Sequence, residues 1–180
     1  ALGLAEVPSE GTLRQRMDAH AEAFRPVVET AAVTFLRNVG APITPLANGL
    51  VPLDCDVTPF DNSKTRKAGV SRTYKGCDGF APMAAYLGQE GWTLELEMRE
   101  GSQHCQKGTP EFLGRVLARA RSLTKRGLLL RLDSGNDAID NIAVVEAHNE
   151  QDPDARPVRY IIKWNPRQES REQWLAHAEE

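Results

Sequence analysis

Nothing in the sequence approaches the roughly 20 consecutive apolar residues that a membrane-crossing helix requires, and the opening residues lack a basic stretch followed by an apolar core. Neither a membrane protein nor a secreted one is expected. Cysteine is sparse: Cys55, Cys77 and Cys105 are widely spaced and free of any CxxC pair, which argues against a disulfide framework and points to a reducing cytoplasm. An excess of one charge is lacking too. With 22 Lys and Arg against 25 Asp and Glu, a formal −3, the chain as a whole offers a polyanion no attraction, so nucleic-acid binding would have to come from local patches. Internal repeats and low-complexity segments are absent. The pair His104-Cys105 has no third ligand at zinc-like spacing and reads as a loop histidine beside an ordinary cysteine.

What is present is apolar residue enough, 41% of 180, to build one buried core. Residues 1–48 read as a helical lead-in and residues 49–180 as the main domain. Thr12-Leu13-Arg14-Gln15 fits a capping box, with Leu13, Met17 and Phe24 following at helical spacing. Pro26 is expected to start a second helix, and residues 42–48, rich in proline, form a connector. The chain opens on Ala1-Leu2-Gly3-Leu4 without an initiator Met and ends within an unfinished helical pattern around Trp174, so both ends are expected to be cut.

Residues 50–58 predict a strand in which Leu53, Cys55 and Val57 point one way while Asp54 and Asp56 point the other. Residues 61–78 are polar and basic, expected as a loop or extended arm. Two apolar runs, 80–87 and 92–99, flank the turn Gly88-Gln89-Glu90-Gly91, and Leu94, Leu96 and Met98 alternate with Thr93, Glu95, Glu97 and Arg99 as on a strand with one wet face. Thr109-Pro110-Glu111 is a helix start with Thr109 as its cap; Phe112, Leu113, Val116, Leu117 and Ala120 form the buried stripe. Residues 128–133 form a buried strand running into Ser134-Gly135, residues 137–149 a helix, and residues 158–164 a last strand. The order is strand-strand-strand-helix-strand-helix-strand, an α/β domain with a mixed sheet.

If the strand from Leu128 lies beside the strand from Leu50, Asp56 and Asp133 face each other. Two carboxylates about 4 Å apart repel by roughly 4 kcal/mol at an effective dielectric near 20, which favours a shared proton or a divalent cation. Hard oxygen ligands without His or Cys select Mg2+ or Mn2+.

The runs Val51-Pro52-Leu53-Asp54-Cys55-Asp56-Val57-Thr58-Pro59-Phe60, Gly79-Phe80-Ala81-Pro82 and Leu130-Arg131-Leu132-Asp133-Ser134-Gly135, with the opening Val7-Pro8-Ser9-Glu10-Gly11-Thr12-Leu13-Arg14-Gln15-Arg16, resemble DDE-type transposases of bacterial insertion sequences across nearly the whole chain. The resemblance implies a ribonuclease H-like fold, two divalent metals (Mg2+ or Mn2+), and cleavage and joining of double-stranded DNA, at transposon ends and target, by a homodimer that pairs two ends in the bacterial cytoplasm. It puts the first catalytic, metal-binding acid on Asp56, which precedes Val57-Thr58, with Asp54 as its rival, and the second on Asp133. The family's third acid, a glutamate on a helix past the last strand, has no counterpart before Glu180; Glu169 and Glu172 come too soon, so weak metal binding and no activity of this chain alone are expected. Lys64, Arg66, Lys67, Arg72 and Lys75 are the expected DNA-phosphate contacts.

Each of these features has a plainer reading. Asp54 and Asp56 fit a water-facing edge strand, Asp133-Ser134-Gly135 fits a turn with a capping acid, and the basic stretch fits a solvated loop. The three tryptophans are expected as packing residues, Trp164 at a strand exit being the one nearest the site. Two rival functions stay open: a nuclease or resolvase on the same fold, and an inactive DNA-binding remnant of a transposable element.

Overall fold

The computed structural model describes residues 7–178; the opening Ala1-Leu2-Gly3-Leu4 lies outside them. The chain is mixed α/β, and its contacts divide it into two units that meet between Ala41 and Pro42. The first unit is helical, with α1 (Glu10–Ala19) and α2 (Ala21–Asn38). The cap of α1 is Ser9, whose side chain accepts from the Thr12 amide, and not the expected Thr12. Pro26 does not start the second helix but lies inside it. The break falls at His20 (φ −122°, ψ 18°), and α2 forgoes one backbone bond at the proline, while Thr30 Oγ1 donates to the Pro26 carbonyl (2.8 Å).

The second unit runs β1 (Val51–Val57), β2 (Phe60–Asp61), β3 (Ser71–Arg72), β4 (Asp78–Phe80), β5 (Met83–Leu87), β6 (Trp92–Glu97), α3 (Thr109–Leu123), β7 (Leu128–Leu132), α4 (Ile139–Gln151), β8 (Val158–Ile162) and α5 (Arg171–Ala178). The segment 42–48 belongs to this unit because the β5–β6 turn holds its backbone. Trp92 Nε1 donates to the Pro42 carbonyl (2.7 Å), Gln89 Nε2 to the Pro45 carbonyl (2.6 Å), and the Glu90 carboxylate accepts from the Thr44 amide (3.1 Å). Among the described residues no helix is long and apolar enough to cross a membrane.

Five strands form one mixed sheet in the order β6-β5-β1-β7-β8. β5 lies antiparallel between β1 and β6, whereas β1, β7 and β8 are parallel, joined from β6 onward by α3 and α4 as crossovers. Val51, Leu53 and Cys55 of β1, Leu128 and Leu130 of β7 and the α3 stripe Phe112, Leu113, Val116, Leu117 and Ala120 make the core. The cap of α3 is Gly108 (φ 77°) instead of Thr109; Thr109 is wholly buried and donates to the Cys105 carbonyl (2.6 Å). α3 ends at Leu123, before Gly127.

The wet face expected for β6 is inverted over its second half. The β5 pairing shifts at Ala85/Tyr86, so that Thr93 opposes Tyr86 while Glu95 opposes Ala85, leaving Leu94 as an extra residue. One extra residue on a strand swaps its two faces beyond that point. Leu94 and Glu95 are both buried, Arg99 is buried, and Leu96 and Met98 are exposed. Arginines of α3 pair with these charges, Arg115 and Arg119 with Glu95 (2.8 Å each) and Arg115 with Glu97 (2.6 Å), and Glu97 also pairs with Arg99 just beyond β6 (2.7 Å).

The polar stretch after β1, expected as a loop or extended arm, builds with its flanks a second, antiparallel sheet in the order β2-β4-β3. Two glycines permit it. A Cβ on Gly79 would sit 1.8 Å from the Phe60 carbonyl oxygen, and one on Gly101 would sit 2.1 Å from that of Ser71.

Candidate functional site

β1 and β7 run parallel in a register that pairs Asp54 with Arg131 and Cys55 with Leu132. Asp56 and Asp133 are the next residue on each chain, so two carboxylates leave the C-terminal ends of neighbouring central strands, the edge at which open α/β sheets hold ligands. The side-chain period of two and the burial of Leu53, Cys55 and Val57 place Asp54 and Asp56 together on the opposite face of β1.

Each of the two terminal acids is held by one oxygen. Asp56 Oδ1 accepts from the Val57 amide (2.8 Å), and Asp133 Oδ1 accepts from Asn136 Nδ2 (2.8 Å). Asn136 is itself buried, and its carbonyl accepts from Asn141 Nδ2 (2.8 Å), which fixes the Asp133 loop onto α4. The second oxygen of each acid has no donor among the described residues. Asp54 differs: Arg131 Nε and Nη2 bind its two oxygens at 2.5 and 2.6 Å.

Around these acids lie groups drawn from other segments of the chain. Cys105, far upstream of Asp133, donates its thiol to the Gly135 carbonyl (2.8 Å). Its pKa is raised by burial and then by the Asp133 charge, so it stays a thiol and not a nucleophilic thiolate. Tyr74, at the β3–β4 turn, donates to the Val57 carbonyl (3.3 Å); its pKa is raised by desolvation and then by Asp56 and Asp133. One phenol therefore senses both acids. Beyond the end of β8, Asn165 braces the loop, its amide donating to Asp137 Oδ2 (2.9 Å) and its Nδ2 to the Ser134 carbonyl (3.1 Å). Trp164 is half exposed and packs edge-to-face on Trp174, whose Nε1 donates to Glu169 (2.6 Å).

The five basic candidates are all exposed on the small sheet: Lys64, Arg66 and Lys67 in the loop between β2 and β3, Arg72 on β3, and Lys75 in the turn after it. Arg72 pairs loosely with Asp78 across the strands (3.5 Å); the other four make no ion pair among the described residues. Among the described residues no group of three or more His, Cys, Asp or Glu side chains could hold a metal ion.

Compared with family models, with characterised proteins and with solved structures, the chain gives no significant match in any of the three.

Proposed function

We propose that this chain is the larger part of a DDE-type transposase catalytic core with a ribonuclease H-like fold, acting on double-stranded DNA. The observation that carries the reading is the emergence of Asp56 and Asp133 side by side from the parallel strands β1 and β7, each with one oxygen uncommitted. The sheet order supports it: numbered along the chain, the five strands lie 3-2-1-4-5, with the second antiparallel to the rest of the centre.

The donor set fits Mg2+ or Mn2+, since both ligands are hard carboxylate oxygens, and it fits as part of a set whose third acid is not among the described residues. Bound there, such ions activate an attacking oxygen and steady a leaving one. Asn136 orients Asp133, the Val57 amide orients Asp56, and the basic residues of the small sheet hold the phosphate backbone. Water attack on a phosphorus breaks its bond to the 3′-oxygen and frees a DNA 3′-hydroxyl; attack by that hydroxyl on a second phosphorus forms the new phosphodiester and expels that strand's own 3′-oxygen as a hydroxyl. Asp54, engaged by Arg131, stands outside the ligand set.

Mn2+ titration followed by electron paramagnetic resonance tests the assignment. Weak binding that disappears in both Asp56→Asn and Asp133→Asn is expected, with Asp54→Asn retaining it. Binding indifferent to both substitutions would remove the metal site and the reading with it. Joined products, in place of hydrolysed ones alone, separate a transposase from a nuclease.

A further inference from the structure

The Tyr74 ring is an exposed aromatic surface beside two carboxylates. It is 71% exposed, yet its hydroxyl is anchored on the carbonyl of the residue that follows Asp56 (3.3 Å). The turn that carries it is held from within: Thr73 is buried, with its Oγ1 donating to the Cys77 carbonyl (2.8 Å), and Gly76 takes the positive φ of 81° that closes the turn. Beside the ring, the Lys75 ammonium lies 5.9 Å from its centroid. An aromatic face that is both fixed and wet loses apolar burial without a partner, and a neighbouring cation suits a partner that is flat and anionic.

Resting on the function proposed above, we infer that Tyr74 is a stacking platform for an unpaired nucleotide next to Asp56 and Asp133, with Lys75 on the adjoining backbone phosphate. Every base offers a π-face to such a platform, so the contact is tolerant of sequence. It also gives the small sheet a role: β2, β3 and β4 carry the basic residues and this ring together to the site. The ligand class is DNA with a frayed or single-stranded end, in preference to blunt duplex.

The test is fluorescence anisotropy with a labelled blunt duplex and the same duplex bearing a short single-stranded tail, in chelator so that no metal-dependent step intervenes. The chain is expected to prefer the tailed duplex. Tyr74→Ala should weaken tailed binding by about fivefold or more, as loss of a base–aromatic stack does, while leaving blunt binding within about twofold, the scatter expected of a surface change. Tyr74→Phe and Tyr74→Trp should keep the preference, since they keep a ring; thermal melting of each variant controls for folding. DNA binding with Tyr74→Ala equal to the parent, or with Tyr74→Phe falling as far as Tyr74→Ala, overturns the inference and leaves the proposed function standing. Failure to bind either duplex at low salt overturns both.

Discussion

Asp54 and Arg131 face each other across the central parallel pair of the sheet, joined by two charge-assisted hydrogen bonds of 2.5 and 2.6 Å. The pair lies two residues before Asp56 and Asp133 along the same two strands. Both side chains are more than a third exposed, so water screens the pair and its contribution is small. Asp54→Asn and Arg131→Gln are each expected to cost about 1 kcal/mol in urea unfolding. A loss above about 3 kcal/mol would show that the pair acts as a buried one.

Glu95 is 7% exposed on the inverted half of β6 and receives both Arg115 and Arg119. Glu95→Ala removes the buried carboxylate that Arg115 and Arg119 share and should cost about 3 kcal/mol. Leu96→Thr, one residue along, should change stability by no more than about 0.5 kcal/mol, since Leu96 is 54% exposed. A regular strand without the extra residue would reverse these two results, and denaturant unfolding of both variants decides between them.

Gly79→Ala drives a methyl group into the Phe60 carbonyl and is expected to cost about 2–3 kcal/mol as β2 is forced off β4. Gly114 on α3 meets nothing within 4 Å, so Gly114→Ala should stabilise by about 0.5–1 kcal/mol through helix propensity. Calorimetric melting should move in opposite directions for the two. Equal shifts would mean that the β2–β4 contact gives way freely.

His148 on α4 lines a cavity of about 570 Å³ with Arg121, Lys125 and Asp152. Its pKa is lowered from the ordinary 6.5 by burial and then by the Arg121 charge, with Asp152 opposing. The folded protein therefore takes up this proton less readily than the unfolded chain. Above about pH 6.5 the group is neutral in both states and costs nothing; as pH falls below that value the unfolded state protonates first and stability drops. In His148→Gln this loss should vanish, leaving a flat profile until the carboxylates titrate. An unchanged slope between pH 6.5 and 5 would assign the loss to other groups.

Much of the site was legible in the chain because its pattern has a short period. The alternation from Leu53 to Val57 puts Asp54 and Asp56 on one face whatever else happens, since successive strand residues point oppositely. The buried run before Asp133 likewise announces a central strand ending in an acid. Legibility ended where spacing along the chain carries no information about proximity. Tyr74, Cys105 and Asn165 reach the chain next to the acids from three separate segments, through bonds to backbone carbonyls and to a loop carboxylate that no residue pattern encodes.

The helices show the same division on a local scale. A capping side chain at Thr12 and a helix start at Pro26 are both sound local choices, yet Ser9 and His20 take those places. Several nearby residues can cap or break a helix at similar cost, and neighbouring turns choose among them.

By itself the sequence determined the interior stripe of α3 and of the central strands, the acids on one face of β1, and the order of the five large-sheet strands and their two crossover helices, because burial and side-chain periodicity act locally. Tertiary structure decided the register that gives Asp54 to Arg131 and sets Asp56 beside Asp133, the extra residue that turns Glu95 inward, and the close approach at Gly79 that builds the second sheet. Pairing energies between distant strands depend on the whole alignment, and a shift of one residue exchanges every face at once.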